Sequence, residues 1–197
     1  LCSALEVCQK NNIIHRDIKP GNIFLSQEGS FKLGDFGVAR IASASMAAST
    51  RAGTVNYMAP EVFQGRRYTS NVDIYSLGLV LYQLLNMNRM PFYPPPPQNI
   101  TPDQQERARA RRFSGEPLPP PAQADPALAA VVLKACAWDP AARYASPAQM
   151  RQALEALTAA PAPAREGPRP AETSAPQPVP APGPAPKKAH GFHAPAK

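Results

Sequence analysis

The chain has 197 residues, a formal net charge of +7 and 26 prolines. That length sets one to two domains. No run of eighteen apolar residues is present, so these residues hold no candidate membrane-spanning helix and no signal peptide. The basic residues are scattered without interleaved aromatics or a nucleic-acid fold signature. The charge therefore reads as a solvated surface, and nucleic acid is not the expected partner.

Leu1 to Lys10 places Leu1, Leu5 and Cys8 at helical spacing, and Asn11 and Asn12 end that helix. Ile13 and Ile14 read as a short strand. Asn22 to Leu25 and Phe31 to Leu33 read as two strands joined by Ser26 to Ser30, with Gly29 in the turn. Ala42 to Ala52 is small, polar and aperiodic, so a mobile loop is expected.

Thr69 and Ser70 look like the cap of a helix from Asn71 to Leu85, whose apolar density predicts burial on nearly all sides. Pro91 to Pro97 is a break. Pro102 to Phe113 is a charged helix, and the cluster Arg107 to Arg112 is expected on its exposed side. After a second break at Pro119 to Pro121, helices are predicted over Pro126 to Ala137 and Pro147 to Leu157, each opened by a proline in the first turn.

Eleven of the prolines follow Ala160, and from Ala159 onward Val179 and Phe192 are the only large apolar side chains. Such a segment cannot bury enough apolar surface to offset its ordering entropy, so 159–197 is expected to be disordered and 1–158 to fold. Cys2, Cys8 and Cys136 form no Cys-x-x-Cys pair and read as buried free thiols.

Three motifs carry chemistry. His15-Arg16-Asp17-Ile18-Lys19-Pro20-Gly21-Asn22 sets a carboxylate, an ammonium and a carboxamide within six residues. Asp35-Phe36-Gly37 and Ala59-Pro60-Glu61 follow in order. Each alone would be a weak signal, but the ordered set resembles the catalytic loop, metal-binding motif and activation-segment end of eukaryotic-type protein kinases. The resemblance implies an α+β protein-kinase-like fold, here a mainly α C-terminal lobe with short β-hairpins.

It also implies site roles. Asp17 matches the carboxylate that orients or accepts the acceptor hydroxyl proton, Lys19 the cation on the transferring phosphoryl group, and Asn22 and Asp35 the oxygen ligands of Mg2+ or Mn2+. Phe24 matches the floor under the adenine of ATP. Lys19 and Thr54 together mark the serine/threonine class, so protein Ser/Thr hydroxyls are the implied acceptors. Gly21 departs from the Glu often found there, which puts a strongly basic substrate consensus in doubt.

His15 and Phe36 resemble members of an apolar stack, rather than His15 being a metal ligand. Asp73 resembles the anchor of the catalytic-loop backbone, and Glu61 with Arg143 the ion pair that ties the activation segment to the lobe. Arg16 marks kinases in which a loop phosphate pairs with that arginine. Thr50 is the implied phosphosite, ahead of Ser49; Ser43 and Ser45 lie nearer the loop's beginning, and Thr54 is expected to be engaged at Asp17 and Lys19.

In the family, the Gly-rich loop, strand Lys and helix Glu precede the catalytic loop, whereas only Leu1 to Ile14 precede it here. The chain is therefore expected to be a C-terminal lobe without its N-terminal lobe, inactive alone. The tail resembles the linkers of bacterial members, which run on from a cytoplasmic kinase domain to a membrane anchor. The competing reading is a non-catalytic scaffold whose Pro-rich tail recruits a partner. Intact Asp17, Asn22 and Asp35 argue against it, because a scaffold needs none of them.

Overall fold

The computed structural model describes residues 1–36, 40–41 and 54–159. Among these are two small antiparallel strand pairs and six α-helices: α1 (Cys2–Lys10), α2 (Pro60–Phe63), α3 (Asn71–Leu84), α4 (Pro102–Ser114), α5 (Pro126–Ala135) and α6 (Pro147–Ala159). Strand β1 (Ile13–Ile14) pairs with β4 (Arg40–Ile41), and β2 (Ile23–Leu25) pairs with β3 (Phe31–Leu33) in the register Ile23↔Leu33, Phe24↔Lys32, Leu25↔Phe31. The expected helix-rich lobe with short hairpins is what forms, and no helix among the described residues is long and apolar enough to cross a membrane.

Helix α3 is the axis of the lobe because almost none of its residues is polar enough to require solvent. Ile74, Leu77 and Val80 meet α1, α5 and α6 on one side, around Leu5, Ala135 and Met150. Val72, Tyr75, Leu79 and Tyr82 meet Ile14, Val132 and Cys136 on the other. The approach of α3 to α5 depends on Gly78, where a Cβ would stand 2.8 Å from Ala135 Cβ and from Cys136 Sγ. Leu84 is the exception to all-round burial and faces solvent. Cys2, Cys8 and Cys136 are free and buried, and burial pushes the Cys136 thiol up to about 12.

Local chemistry sets the helix ends. Thr101 and Gln104 close a reciprocal capping box on α4, and Asp125 accepts from the amides of Ala127 and Leu128 to start α5. Gly115 stops α4 with φ of 89°, a left-handed conformation that a Cβ would strain.

Four expectations are corrected. Ser70 stands at the N-cap of α3 as expected, but its side chain makes no capping bond; Thr69 Oγ1 instead accepts, at 3.4 Å, from Asn71 N. Helix α5 ends at Ala135 rather than Ala137: Ala137 N closes an i−3 bond to Lys134 O, and Pro140 has no N–H to continue the helix to Cys136 O. Asn22 belongs to a 3-10 turn from Pro20 rather than to β2, its amide donating to Lys19 O. Arg112 is buried instead of exposed, since Ala108, Arg112 and Phe113 form the inner stripe of α4. Helix α2 and strand β4 had no expectation attached.

Candidate active site

The site is built on a backbone held from below. Asp73, in the first turn of α3, accepts from His15 N at 2.8 Å and from Arg16 N at 2.9 Å, one amide on each carboxylate oxygen. This two-pronged grip accommodates the φ of 70° at Arg16, a region costly for a side chain with a Cβ. Burial pushes the Asp73 carboxyl up from its ordinary value, and the two amides pull it part of the way back.

The chain then turns so that Asp17 is nearly sealed, at 5 % exposure. Its Oδ2 accepts from Lys19 Nζ at 2.6 Å and from Asn22 Nδ2 at 2.9 Å, while the same Asn22 amide also donates to Asp17 O at 2.7 Å. An ammonium and an amide N–H that converge on one carboxylate oxygen fix the orientation of the Asp17 side chain. Asn22 spends its nitrogen on Asp17, which leaves Oδ1 as its free donor oxygen.

Asp35 is brought alongside through its neighbour. Gly34 N donates to Asn22 O at 3.0 Å, and Gly34 O meets His15 Nε2 at 3.0 Å. The Phe24 ring can lie against Gly34 because glycine has no Cβ; one added there would stand 2.6 Å from Cε2. Asp35 itself is exposed with φ of 58°. His15 is fully buried and meets the Phe36 ring edge-on, with centroids 4.7 Å apart.

A carboxylate and a carboxamide oxygen fit a hard divalent cation such as Mg2+. No group of three or more His, Cys, Asp or Glu among the described residues could hold a metal by itself. The pair Asp35 and Asn22 would fill about two of roughly six oxygen positions and leave the rest to phosphates and water.

Glu61 and Arg143 meet as a buried bidentate pair, at 2.6 and 2.8 Å, bridging 82 residues of sequence. Arg143 also lies over the Tyr75 ring, 4.7 Å from its centroid. Arg16 stacks over Tyr68 at 5.1 Å, and its buried Nε meets no acceptor among the described residues. Thr54 starts a 3-10 turn that runs to Tyr57, but its side chain lies outside the described residues, as do Gly37, Ser43, Ser45, Ser49 and Thr50.

The structure thus brings together His15, Asp17, Lys19, Asn22, Phe24, Asp35, Phe36 and Asp73, and sets Glu61 with Arg143 apart as a separate brace. Sequence reasoning missed Gly34, the link between Asn22 and His15, and Ser76, whose hydroxyl donates to Tyr57 O at 2.8 Å. Glycine before Asp-Phe-Gly was the available signal for the first. Ser76 had none, being one polar residue in an apolar helix.

Comparison with known proteins agrees with this layout. The protein kinase domain pattern matches residues 1–156. Serine/threonine-protein kinase Pkn1 of Myxococcus xanthus is 38% identical over 170 residues, which cover 81% of this chain and 23% of that protein. Serine/threonine-protein kinase PknB of Mycobacterium leprae is 38% identical over 159 residues, covering 78% and 24%. A probable serine/threonine-protein kinase of Streptomyces coelicolor is 35% identical over 160 residues, covering 79% and 23%. The chain spans about a quarter of the length of these relatives. It belongs to the protein kinase domain family, among kinases of the bacterial serine/threonine type.

Proposed function

We propose that this lobe is the phosphoryl-transfer half of a kinase that moves the γ-phosphoryl of ATP to serine or threonine hydroxyls of proteins. The observation that carries it is the single oxygen Asp17 Oδ2, on which the Lys19 ammonium and the Asn22 amide converge. Bound Mg2+–ATP supplies the phosphoryl group and the charge that polarises it.

The chain's residues do the rest. Asp17 orients the acceptor hydroxyl and takes its proton, and Lys19 neutralises charge as the phosphoryl group passes. Asn22 Oδ1 and Asp35 hold the cation, Phe24 supports the adenine, and Thr54 steadies Asp17 and Lys19. Phosphorylation of Thr50, with Ser49 second, orders the loop through Arg16, whose guanidinium has donor capacity in reserve. In this reading the kinase lobe is 1–158, and 159–197 is a linker-like tail. The 197 residues contain no Gly-rich phosphate loop and no strand Lys to clamp ATP, so the chain by itself is inactive.

The test is phosphoryl transfer from labelled ATP to a Ser/Thr-containing protein. The product of the whole reading frame should be active, and Asp17→Asn should lower its turnover by about 10²–10⁴-fold. Full activity in Asp17→Asn would overturn the assignment. Asp17-dependent transfer by the 197-residue chain would overturn its inactivity.

A further inference from the structure

Helix α4 carries four arginines within six residues, and one of them is treated unlike the others. Arg107 pairs with Asp103, Arg109 with Glu106 and Arg111 with Glu116. Arg112 is only 4 % exposed and has no carboxylate within ion-pair distance among the described residues. Its partners are neutral: NH1 donates to Met58 O at 2.9 Å and to Tyr75 Oη at 3.2 Å, and NH2 donates to Val55 O at 2.9 Å. The Phe113 ring, 4.3 Å from the guanidinium carbon, covers it.

A buried cation without a counter-ion is a costly way to add stability, because desolvation is met only by carbonyl dipoles. What the arrangement does provide is geometry. A planar guanidinium reaches two carbonyls at fixed separation, 54 and 57 residues back along the chain, which no aliphatic side chain of the same size can do. Those carbonyls bracket a turn whose own Met58 N to Val55 O bond is long, at 3.3 Å. Ser76 fastens the carbonyl between them, that of Tyr57. The turn begins at Thr54 and runs directly into Ala59, Pro60 and Glu61.

We propose that Arg112 is a positioning residue: from α4 it sets the 55–58 turn, and through it the place of Thr54 relative to Asp17 and Lys19. The catalytic half of this claim rests on the function proposed above. The anchoring half stands on the hydrogen bonds alone.

Hydrogen exchange of the 197-residue chain tests the anchoring. Arg112→Met, which keeps the bulk and removes the donors, should speed exchange of amides 55–59 about tenfold or more while the rest of the lobe stays within about twofold. Arg112→Lys should fall between, and it also serves if Arg112→Met does not fold. Met150→Ala, in the α1–α6 core, is the control for lost stability and should speed exchange throughout.

In the active product of the whole reading frame, Arg112→Met should lower kcat with the KM for ATP unchanged, and Arg112→Lys should restore part of it. Unchanged exchange at 55–59, or an acceleration shared by the whole lobe as in Met150→Ala, overturns the proposal. Local acceleration with wild-type kcat overturns the positioning role and leaves a merely structural one. A wild-type product without kinase activity defeats the functional reading and the catalytic half with it, and the exchange result then decides the anchoring alone.

Discussion

From His15 to Asn22 three polar side chains lie inside, His15, Asp17 and Asn22 at 5 % exposure or less, and Arg16 and Lys19 are half-buried. From Phe24 to Phe36 the large apolar ones other than Leu33 lie outside: Phe24, Leu25, Phe31 and Phe36 are between 46% and 65% exposed. The two stretches are neighbours in sequence and share hydrogen bonds through Gly34, yet they invert the usual distribution. In the loop, the buried polar groups of His15, Asp17 and Asn22 have partners, with Arg16 Nε the exception among the described residues, so desolvation is largely offset and geometry is specified. In the hairpin, apolar surface worth about 1.5–3 kcal/mol per side chain on burial stays in water. The loop is held by α3, and the hairpin is held by its ladder, by its turn, where Ser26 N donates to Ser30 O at 2.8 Å, and by Ile23 and Leu33 packed against the core. Phe24 and the pair Leu25–Phe31 lie on opposite faces of the hairpin, and Phe24 is the side chain that meets the adenine of ATP in the function proposed here.

If this contrast is right, truncation of buried polar groups should be severe and truncation of the exposed apolar ones mild. The largest effect belongs to Glu61→Ala, which strands the sealed Arg143 guanidinium. A loss of about 3–5 kcal/mol is expected, read as a lowered urea midpoint. A loss below about 1 kcal/mol would show that the pair is solvated and that the buried-polar half of the contrast is wrong. Asp73→Asn comes next. The amide keeps one acceptor and turns an NH2 toward the second of two backbone N–H groups, for about 1–3 kcal/mol. Exchange at His15 and Arg16 should rise with it; unchanged protection there would mean the loop is held by something other than α3.

Much of the loop was legible because its chemistry is local: Asp17, Lys19 and Asn22 are five residues apart at most, and their types leave few alternative uses. Helix α3 was legible because an apolar stretch of that length has one place to go. Arg112 was not. Three of the four arginines on α4 behave as their sequence suggests, pairing with acids on the surface, and nothing local separates the fourth from them. Its burial follows from contacts 37 to 57 residues away, and the one available clue was its spacing from Ala108 and Phe113 on a shared stripe. Two-residue strands such as β4 are set by their partner, Ile13 and Ile14, rather than by a periodicity of their own.

On the hairpin side, Leu25→Ser and Phe31→Ser, a directly opposed pair at the turn end of the ladder, should each change stability by no more than about 0.5 kcal/mol. A loss above about 1.5 kcal/mol for either would show that the hairpin's outer face is packed, and the comparison would fail from its apolar side.

The smallest effect concerns the one ion pair that joins the first helix to the last, Glu6 with Arg151 at 2.7 Å. The Arg151 guanidinium holds the Glu6 carboxyl below its ordinary value of 4.5. Because the folded value lies below the unfolded one, the unfolded chain binds the proton more tightly, and the pair's stabilisation is present above 4.5 and fades as pH falls through the lowered value. Glu6→Gln should therefore be slightly less stable than wild type at pH 7 and equal to it at pH 2–3, with the gap at pH 7 shrinking in high salt. Urea midpoints at both pH values, with and without salt, measure it. A gap that persists at low pH would assign the effect to packing of the α1–α6 contact rather than to charge. The join would then belong with the apolar core around Leu5 and Met150, and not with the polar cross-links that hold the loop.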